Sequence, residues 1–380
     1  MMPEANHVLH VAQGDFVVHR LPKRPRELLQ AFDAADEYLL DYVAEVVKPE
    51  PGARILLVND SFGALAVALH AWQPCALSDS YLSQQATRLN LATNNLPEQD
   101  VNLVTSVQPL TGVFDVVLIK APKTLALLED ELLRIRPHLT AATQLIVAGM
   151  VKALPASVWK LLGRLVGPTT TSLAKKKARL IFAEFNAALA LPDNPYPVRY
   201  QLENTDYVLA NHANVFSRDS LDIGTRFFLQ HIPARQEYRD IIDLGCGNGV
   251  VGLIAGERNP TANVHFVDES FMAIASAQEN FRRSFGAGRL ATFHEGDGLM
   301  VFETASADLI LCNPPFHQQN TIGDHIASAM FKESQRVLRS NGELWVIGNR
   351  HLNYHLTLRR WFNGVSTVAA NSKFVILKAF

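Results

Sequence analysis

The second half of the chain keeps one rhythm of hydrophobic and polar positions. Apolar runs of strand length alternate with longer segments whose apolar residues recur every three or four positions. Asp240–Leu244, Asn263–Asp268, Ala291–Glu295, Ala307–Cys312 and Glu343–Ile347 read as strands, with Lys373–Leu377 as a final one. Val250–Ala255, Met272–Phe281 and Ile326–Leu338 read as helices. Strands alternating with helices predict a mostly parallel sheet wrapped by helices, an α/β fold.

The first half echoes the second. Ile55–Leu65 lies over Ile241–Val251, Ala76–Ser80 over Phe266–Ser270, and Phe114–Pro122 over Ala307–Pro315. Ile55 to Ile241, Asp79 to Asp268 and Asp115 to Asp308 give offsets of 186, 189 and 193 residues. Three landmarks in order predict a duplicated domain, each copy of ordinary domain size. Between the copies, 188–201 carries Pro192, Pro195 and Pro197 and has no periodicity, so it reads as a linker. The expected domains are 1–195 and 196–380.

The strand ends carry the chemistry. Asn313-Pro314-Pro315-Phe316 follows the apolar run Leu309–Cys312. Proline fixes its own φ and restricts the residue before it, so this is a stiff, extended turn. It offers the Asn313 side chain and the Pro314 carbonyl as two acceptors beside an aromatic ring. That combination suits a planar substrate bearing an –NH2 group; the plain alternative is a proline-rich loop. Earlier, Asp243-Leu244-Gly245-Cys246-Gly247-Asn248-Gly249 takes a strand into a glycine loop that a ligand can approach closely. Asp268 ends the next strand, where an acidic residue in such units holds a ribose. Gly247–Gly252 also fits the G-x-G-x-x-G pattern of dinucleotide enzymes, which keeps a nicotinamide-dependent oxidoreductase as an alternative. Asp243 before the glycines and Asn313–Phe316 after a later strand are features such an enzyme does not need.

Taken together, these motifs resemble the class I S-adenosylmethionine (SAM) methyltransferases that act on exocyclic amines. The chain is most similar to the bacterial ribosomal RNA guanine-N2 methyltransferases. Asn211–Arg218, Leu221–Gly224, Asn313–Gln319, Asn349–Leu352 and Gly167–Thr171 carry that likeness, from about residue 30 to the C-terminus. Within that family it is nearer to the members acting on large-subunit (23S) RNA than to the sister group acting on 16S RNA. The resemblance implies two tandem Rossmann-like domains with seven-stranded sheets, the last strand antiparallel and the N-terminal copy degenerate. It implies SAM as cofactor, held by Asp243, Gly245, Gly247, Asp268, Asp297 and Asn313, with Asp297 beside the adenine amine. Asn313, Pro314 and Phe316 would handle the target base. Related Asn-Pro-Pro-aromatic motifs also serve adenine-N6 and glutamine side-chain methylation, so these remain open.

The copies diverge at these points. Asn59 and Ser61 stand where the second copy has Gly245 and Gly247, and Lys120 stands where it has Asn313. The first copy is therefore expected to keep the fold, lose catalysis, and bind or position RNA. A net charge of −2 and a pI near 6.7 exclude a generally basic nucleic-acid binder, so RNA contact must use local cations. Candidates are Lys120, Lys175, Lys176, Lys177, Arg179, Arg350 with His351, and the run Arg20–Arg26; each such run is also what an ordinary solvated face looks like. Cys75, Cys246 and Cys312 show neither metal spacing nor a disulfide pattern, which predicts a reducing compartment, packing roles and no metal. No apolar stretch is long enough for a membrane span, and Met1–Gly14 lacks a signal pattern, so a cytoplasmic protein is expected. A duplicated chain can act as a monomer.

Overall fold

The computed structural model describes residues 7–23, 27–315 and 321–380. The chain forms two compact units, 1–195 and 196–380. In the first, β1 (Val8–Val11) and β2 (Gly14–Val17) form a hairpin. The main sheet follows with β3 (Ile55–Val58), β4 (Cys75–Ser78), β5 (Asn102–Thr105), β6 (Val116–Lys120), β7 (Gln144–Met150), β8 (Thr169–Thr171) and β9 (Ala178–Ala183). The second unit opens with the hairpin β10 (Val198–Gln201) and β11 (Val208–Asn211). Its main sheet comprises β12 (Asp240–Leu244), β13 (Asn263–Asp268), β14 (Ala291–Glu295), β15 (Ala307–Cys312), β16 (Leu338–Asn349), β17 (Val365–Ala370) and β18 (Phe374–Ala379).

The two seven-stranded sheets have one topology. Their orders are β5-β4-β3-β6-β7-β9-β8 and β14-β13-β12-β15-β16-β18-β17. Only β9 and β18 run against their sheets. Both faces of each sheet are buried, so the central strands are apolar throughout rather than alternating. In the second unit Ile241, Leu309, Leu311 and Ile347 face one layer of the core. Ile242, Leu244, Ile310 and Val346 face the other.

Four of the expected strands of the second unit coincide with β12 to β15. Three expectations need correction. The segment read as a linker through Gln201 ends in β10, because Val198 and Tyr200 alternate with exposed Arg199 and Gln201 once the prolines are passed. The last long helix spans Thr321–Val337 and β16 begins at Leu338, five residues before the strand predicted there. Leu338 pairs with Ala307, and a bulge then carries polar residues 339–342 into the strand, where no apolar signal marks them. Third, the copies match in the second strand at 190 residues, the offset at which Ala76 lies over Phe266, and not at the 189 taken from Asp79 and Asp268. Leu57 pairs with Ala76 and Asp243 with Phe266, so Ser78, not Asp79, is the counterpart of Asp268.

Among the described residues no helix is long and apolar enough to cross a membrane.

Candidate functional site at the strand ends

Strand pairing brings the candidate residues together. Leu244 pairs with Val267 and Cys312, and Asp268 with Glu295. Gly245, Asp268, Asp297 and Asn313 thus leave neighbouring strands at the same, carboxyl edge. Open α/β sheets bind ligands at that edge.

The glycines of the loop divide by what surrounds them. Among the described residues, a Cβ on Gly247 would meet nothing within 4 Å, and one on Gly245 only the tip of Met330 at 3.6 Å. Both have positive φ, 70° and 54° for Gly245 and Gly247, so the bare backbone faces open space. A Cβ on Gly252, by contrast, would run into the Phe266 ring, and one on Gly249 would sit 2.7 Å from the Ala277 side chain. The first pair cradles; the second pair packs. A buried amide network holds the cradle's shape. Asn248 donates to Asn211 Oδ1 at 2.8 Å and accepts from the Val250 N–H, while Asn280 donates to the Asn248 carbonyl at 2.9 Å. Asn211 was visible in the sequence only as part of a family match. Asn248 was visible only within the glycine-loop motif, and Asn280 carried no signal, because buried amides have no periodicity of their own.

Asp243 is buried, and its Oδ2 accepts the Gly252 N–H at 2.7 Å. It clamps the helix that follows the loop. Burial pushes its carboxyl from 3.8 up to about 8, opposed by the Gly252 hydrogen bond and assisted by the charge of Asp268. In the folded state this group keeps a proton that the unfolded chain has released. Its contribution to stability therefore falls as pH rises between about 4 and 8. Asp243→Asn keeps an acceptor for Gly252 but removes the titration. The melting temperature of the variant minus that of the native protein should rise steadily between pH 5 and 8. A difference independent of pH would contradict this.

Asp268 accepts the Gly247 N–H at 2.9 Å with Oδ2 and the Ser270 N–H at 3.0 Å with Oδ1. Ser270, not Asp268, caps the next helix, accepting from Ala273. Asp297 lies in a turn tied back by the Gly296 N–H to the Asp268 carbonyl at 3.0 Å. Burial, then the charge of Glu333, raises its pKa. Cys246 and Cys312 are buried, their thiols pushed upward by desolvation, consistent with packing roles. Among the described residues no group of acidic, histidine and cysteine side chains has metal-site geometry.

Asn313 donates from Nδ2 to Thr225 Oγ1 at 3.0 Å. Its Oδ1 is buried and has no hydrogen-bond partner among the described residues. Phe316 lies outside the described residues, as do Arg24 and Arg26.

The first unit shows the same edge closed by side chains. Asn59, opposite Gly245, keeps a left-handed φ of 62°. Its amide donates to Glu131 at 3.0 Å and to the Lys120 carbonyl at 3.3 Å. Asp60 accepts the Ala66 N–H at 2.8 Å, the counterpart of the Asp243–Gly252 bond, and its carboxyl is pushed up to about 7 by burial. Lys120 binds Asp36 at 2.6 Å and Asp33 at 2.9 Å, with its side chain 15% exposed. That corrects its reading as an RNA-facing cation: the ammonium is held inside by two carboxylates. Lys175 and Lys176 are exposed but paired with Asp41 and Glu37, at 2.7 and 2.8 Å, beside a shallow hollow with His10 and Tyr38. Lys177 is exposed, Arg179 half-buried, and Arg350 exposed with a bond to the Asn371 carbonyl.

The sheet order, the single antiparallel strand and the open glycine cradle at the end of β12 define a class I methyltransferase fold in the second unit, repeated without the cradle in the first. Family models for the RLMG N-terminal domain and the methyltransferase small domain match residues 6–187 and 206–378. The chain belongs to the ribosomal RNA large subunit methyltransferase G family. It is 48% identical to the member from Streptomyces coelicolor over 96% of this chain and 98% of that one. It is 50% identical to the member from Pseudomonas aeruginosa UCBPP-PA14 over 97% of both chains. Among solved structures, a T. thermophilus 16S rRNA N2 methyltransferase in complex with AdoMet and guanosine matches with a TM-score of 0.75. It covers 98% of this chain and 96% of its own, at 21% identity, a likeness of fold.

Proposed function

We propose that this protein methylates the exocyclic N2 amine of a guanine in 23S ribosomal RNA, using SAM. The observation that carries the chemistry is the buried Asn313 Oδ1, without a hydrogen-bond partner among the described residues, on the strand end next to a glycine cradle that those residues leave open. Gly245 and Gly247 leave room for the methionine part of SAM. Asp268 offers a carboxylate for the ribose hydroxyls, and Asp297 an acceptor for the adenine amine. Bound SAM supplies an electrophilic methyl group.

The protein's task is to make an aryl amine nucleophilic. The lone pair of such an amine is delocalised into the ring. Asn313 Oδ1 and the Pro314 carbonyl accept its two hydrogens, turn the lone pair out of conjugation and stabilise the positive charge that develops on nitrogen. The motif assigns stacking on the base to Phe316. A base within a helix cannot reach such an edge, so the target is unpaired or flipped out. The first unit, its strand edge closed, positions RNA rather than catalysing. Lys177, Arg179 and Arg350 are the cations we assign to RNA contact, with Lys175 and Lys176 contributing as their ion pairs exchange.

Labelled SAM with 23S RNA, 16S RNA and transfer RNA, the ribosomal RNAs from cells lacking the activity, tests this. Nucleoside digestion should place the label in N2-methylguanosine from 23S RNA alone. Label in 16S RNA alone moves the assignment to the sister activity, and label in methyladenosine removes the guanine assignment.

A further inference from the structure

Asp222 is the N-cap of the helix Ile223–Leu229, and its Oδ2 accepts the Thr225 N–H at 2.8 Å. The Thr225 hydroxyl reaches the same oxygen at 3.3 Å. A carboxylate can only accept, so the hydroxyl proton is committed to Asp222. Thr225 Oγ1 can then offer Asn313 only a lone pair. With that proton on Asp222, the Asn313 amide turns its NH2 toward Thr225, as it does at 3.0 Å, and its Oδ1 has no partner among the described residues. The orientation of Asn313 then follows from the direction of the chain Asp222–Thr225–Asn313; a hydroxyl turned toward Asn313 would reverse it.

The first unit repeats the device with other chemistry. Asp33 is the N-cap of the helix Ala34–Tyr42, and Asp36 stands three residues on, as Thr225 does from Asp222. Asp36 holds Lys120, the counterpart of Asn313, at 2.6 Å. In both units, the third residue after an N-cap aspartate grips the side chain at the end of the fourth core strand. An ion pair fixes the closed edge; a hydrogen bond leaves one acceptor over at the open edge.

We infer that Thr225, oriented by Asp222, is a positioning residue that sets the rotamer of Asn313 so that its carbonyl oxygen faces the target amine. This rests on the function proposed above. The test compares Thr225→Val, Thr225→Ser, Asp222→Asn, Asn313→Ala and the double variant Thr225→Val/Asn313→Ala in the full chain. Methyl transfer to 23S RNA gives kcat and KM, and equilibrium binding gives the Kd for SAM. Thr225→Val should lower kcat by about 10- to 100-fold, the cost of a misoriented group, with KM and Kd little changed. Thr225→Ser should recover most of the rate. Asp222→Asn replaces a charged acceptor with a weaker neutral one and adds an NH2 that competes for Thr225 Oγ1, so the hydroxyl proton is no longer held on Asp222 alone; kcat should fall in the same direction, which keeps the test open should Thr225→Val melt early. The double variant should be no slower than Asn313→Ala alone, because Thr225 acts only through Asn313. Native kcat in both Thr225→Val and Asp222→Asn, with Asn313→Ala inactive, overturns the inference and spares the proposed function. Additive losses in the double variant also overturn it. Native activity in Asn313→Ala overturns the proposed role of Asn313, and this inference with it.

Discussion

Asn313→Ala is expected to lower kcat for methyl transfer by about a hundredfold or more while leaving the Kd for SAM within about threefold of native. The asymmetry comes from where the side chain's two ends go. Its Nδ2 is spent on Thr225, inside the protein, and its Oδ1 is spent on nothing among the described residues. Removing the amide therefore deletes an acceptor that is used when charge develops on the substrate nitrogen. Losing one preorganised group aimed at developing charge costs about 2.7–4 kcal/mol of barrier. The fold should tolerate the change, since the Thr225 hydroxyl keeps Asp222 as a partner. A rate within a few-fold of native, measured at saturating SAM, would remove Asn313 from the chemistry.

Gly245→Asn should abolish usable SAM binding without unfolding the protein. The first unit supplies the precedent: Asn59 occupies the matching position with φ 62°, against 70° for Gly245. Asparagine tolerates that left-handed conformation better than other side chains, at a cost of about 1–2 kcal/mol or less. Among the described residues, the only atom a Cβ would meet is the flexible tip of Met330. The new side chain thus sits in the cradle rather than in the core. Affinity for SAM should fall at least about a hundredfold, equivalent to about 2.7 kcal/mol. Gly252→Ala makes the informative contrast. Its Cβ would press on Phe266 and Asp243, so it should cost about 1–3 kcal/mol of stability through overpacking. Isothermal titration together with thermal melts separates the two outcomes. If Gly245→Asn binds SAM normally, the cradle is not where the cofactor lies.

The strands were legible because each is an unbroken apolar run between turn signals. The duplication was legible for the same reason, since buried strands change slowly in character. Its fine register was not. Asp79 and Asp268 drew the eye as matching acids, but pairing with the neighbouring strands selects Ser78, whose hydroxyl accepts the Ser80 N–H as Asp268 accepts that of Ser270. Charges misled in a similar way. Lys120 looks like a cation available to RNA until Asp33 and Asp36, more than eighty residues away, fold onto it. Thr225 went unseen because a threonine three residues after an aspartate reads as ordinary helix capping. Only tertiary structure places it against Asn313.

The closed edge of the first unit has a bearing on its history. Lys120 and the two carboxylates around it are mutually dependent, and Asn59 is tied in turn to Glu131 and to the Lys120 carbonyl. Reverting Lys120 to asparagine alone would strand Asp36 without its counter-charge. Breaking one partner of a buried pair costs about 3–5 kcal/mol, a large share of a domain's stability. Reverting Asp36 alone would strand the lysine. No single substitution reopens the edge, and each intermediate step would give up a large share of the domain's stability. The device that tunes an amide in one copy acts in the other as a latch: the lysine, its acids and Asn59 hold the edge shut together, and none can be exchanged alone without leaving another unmatched.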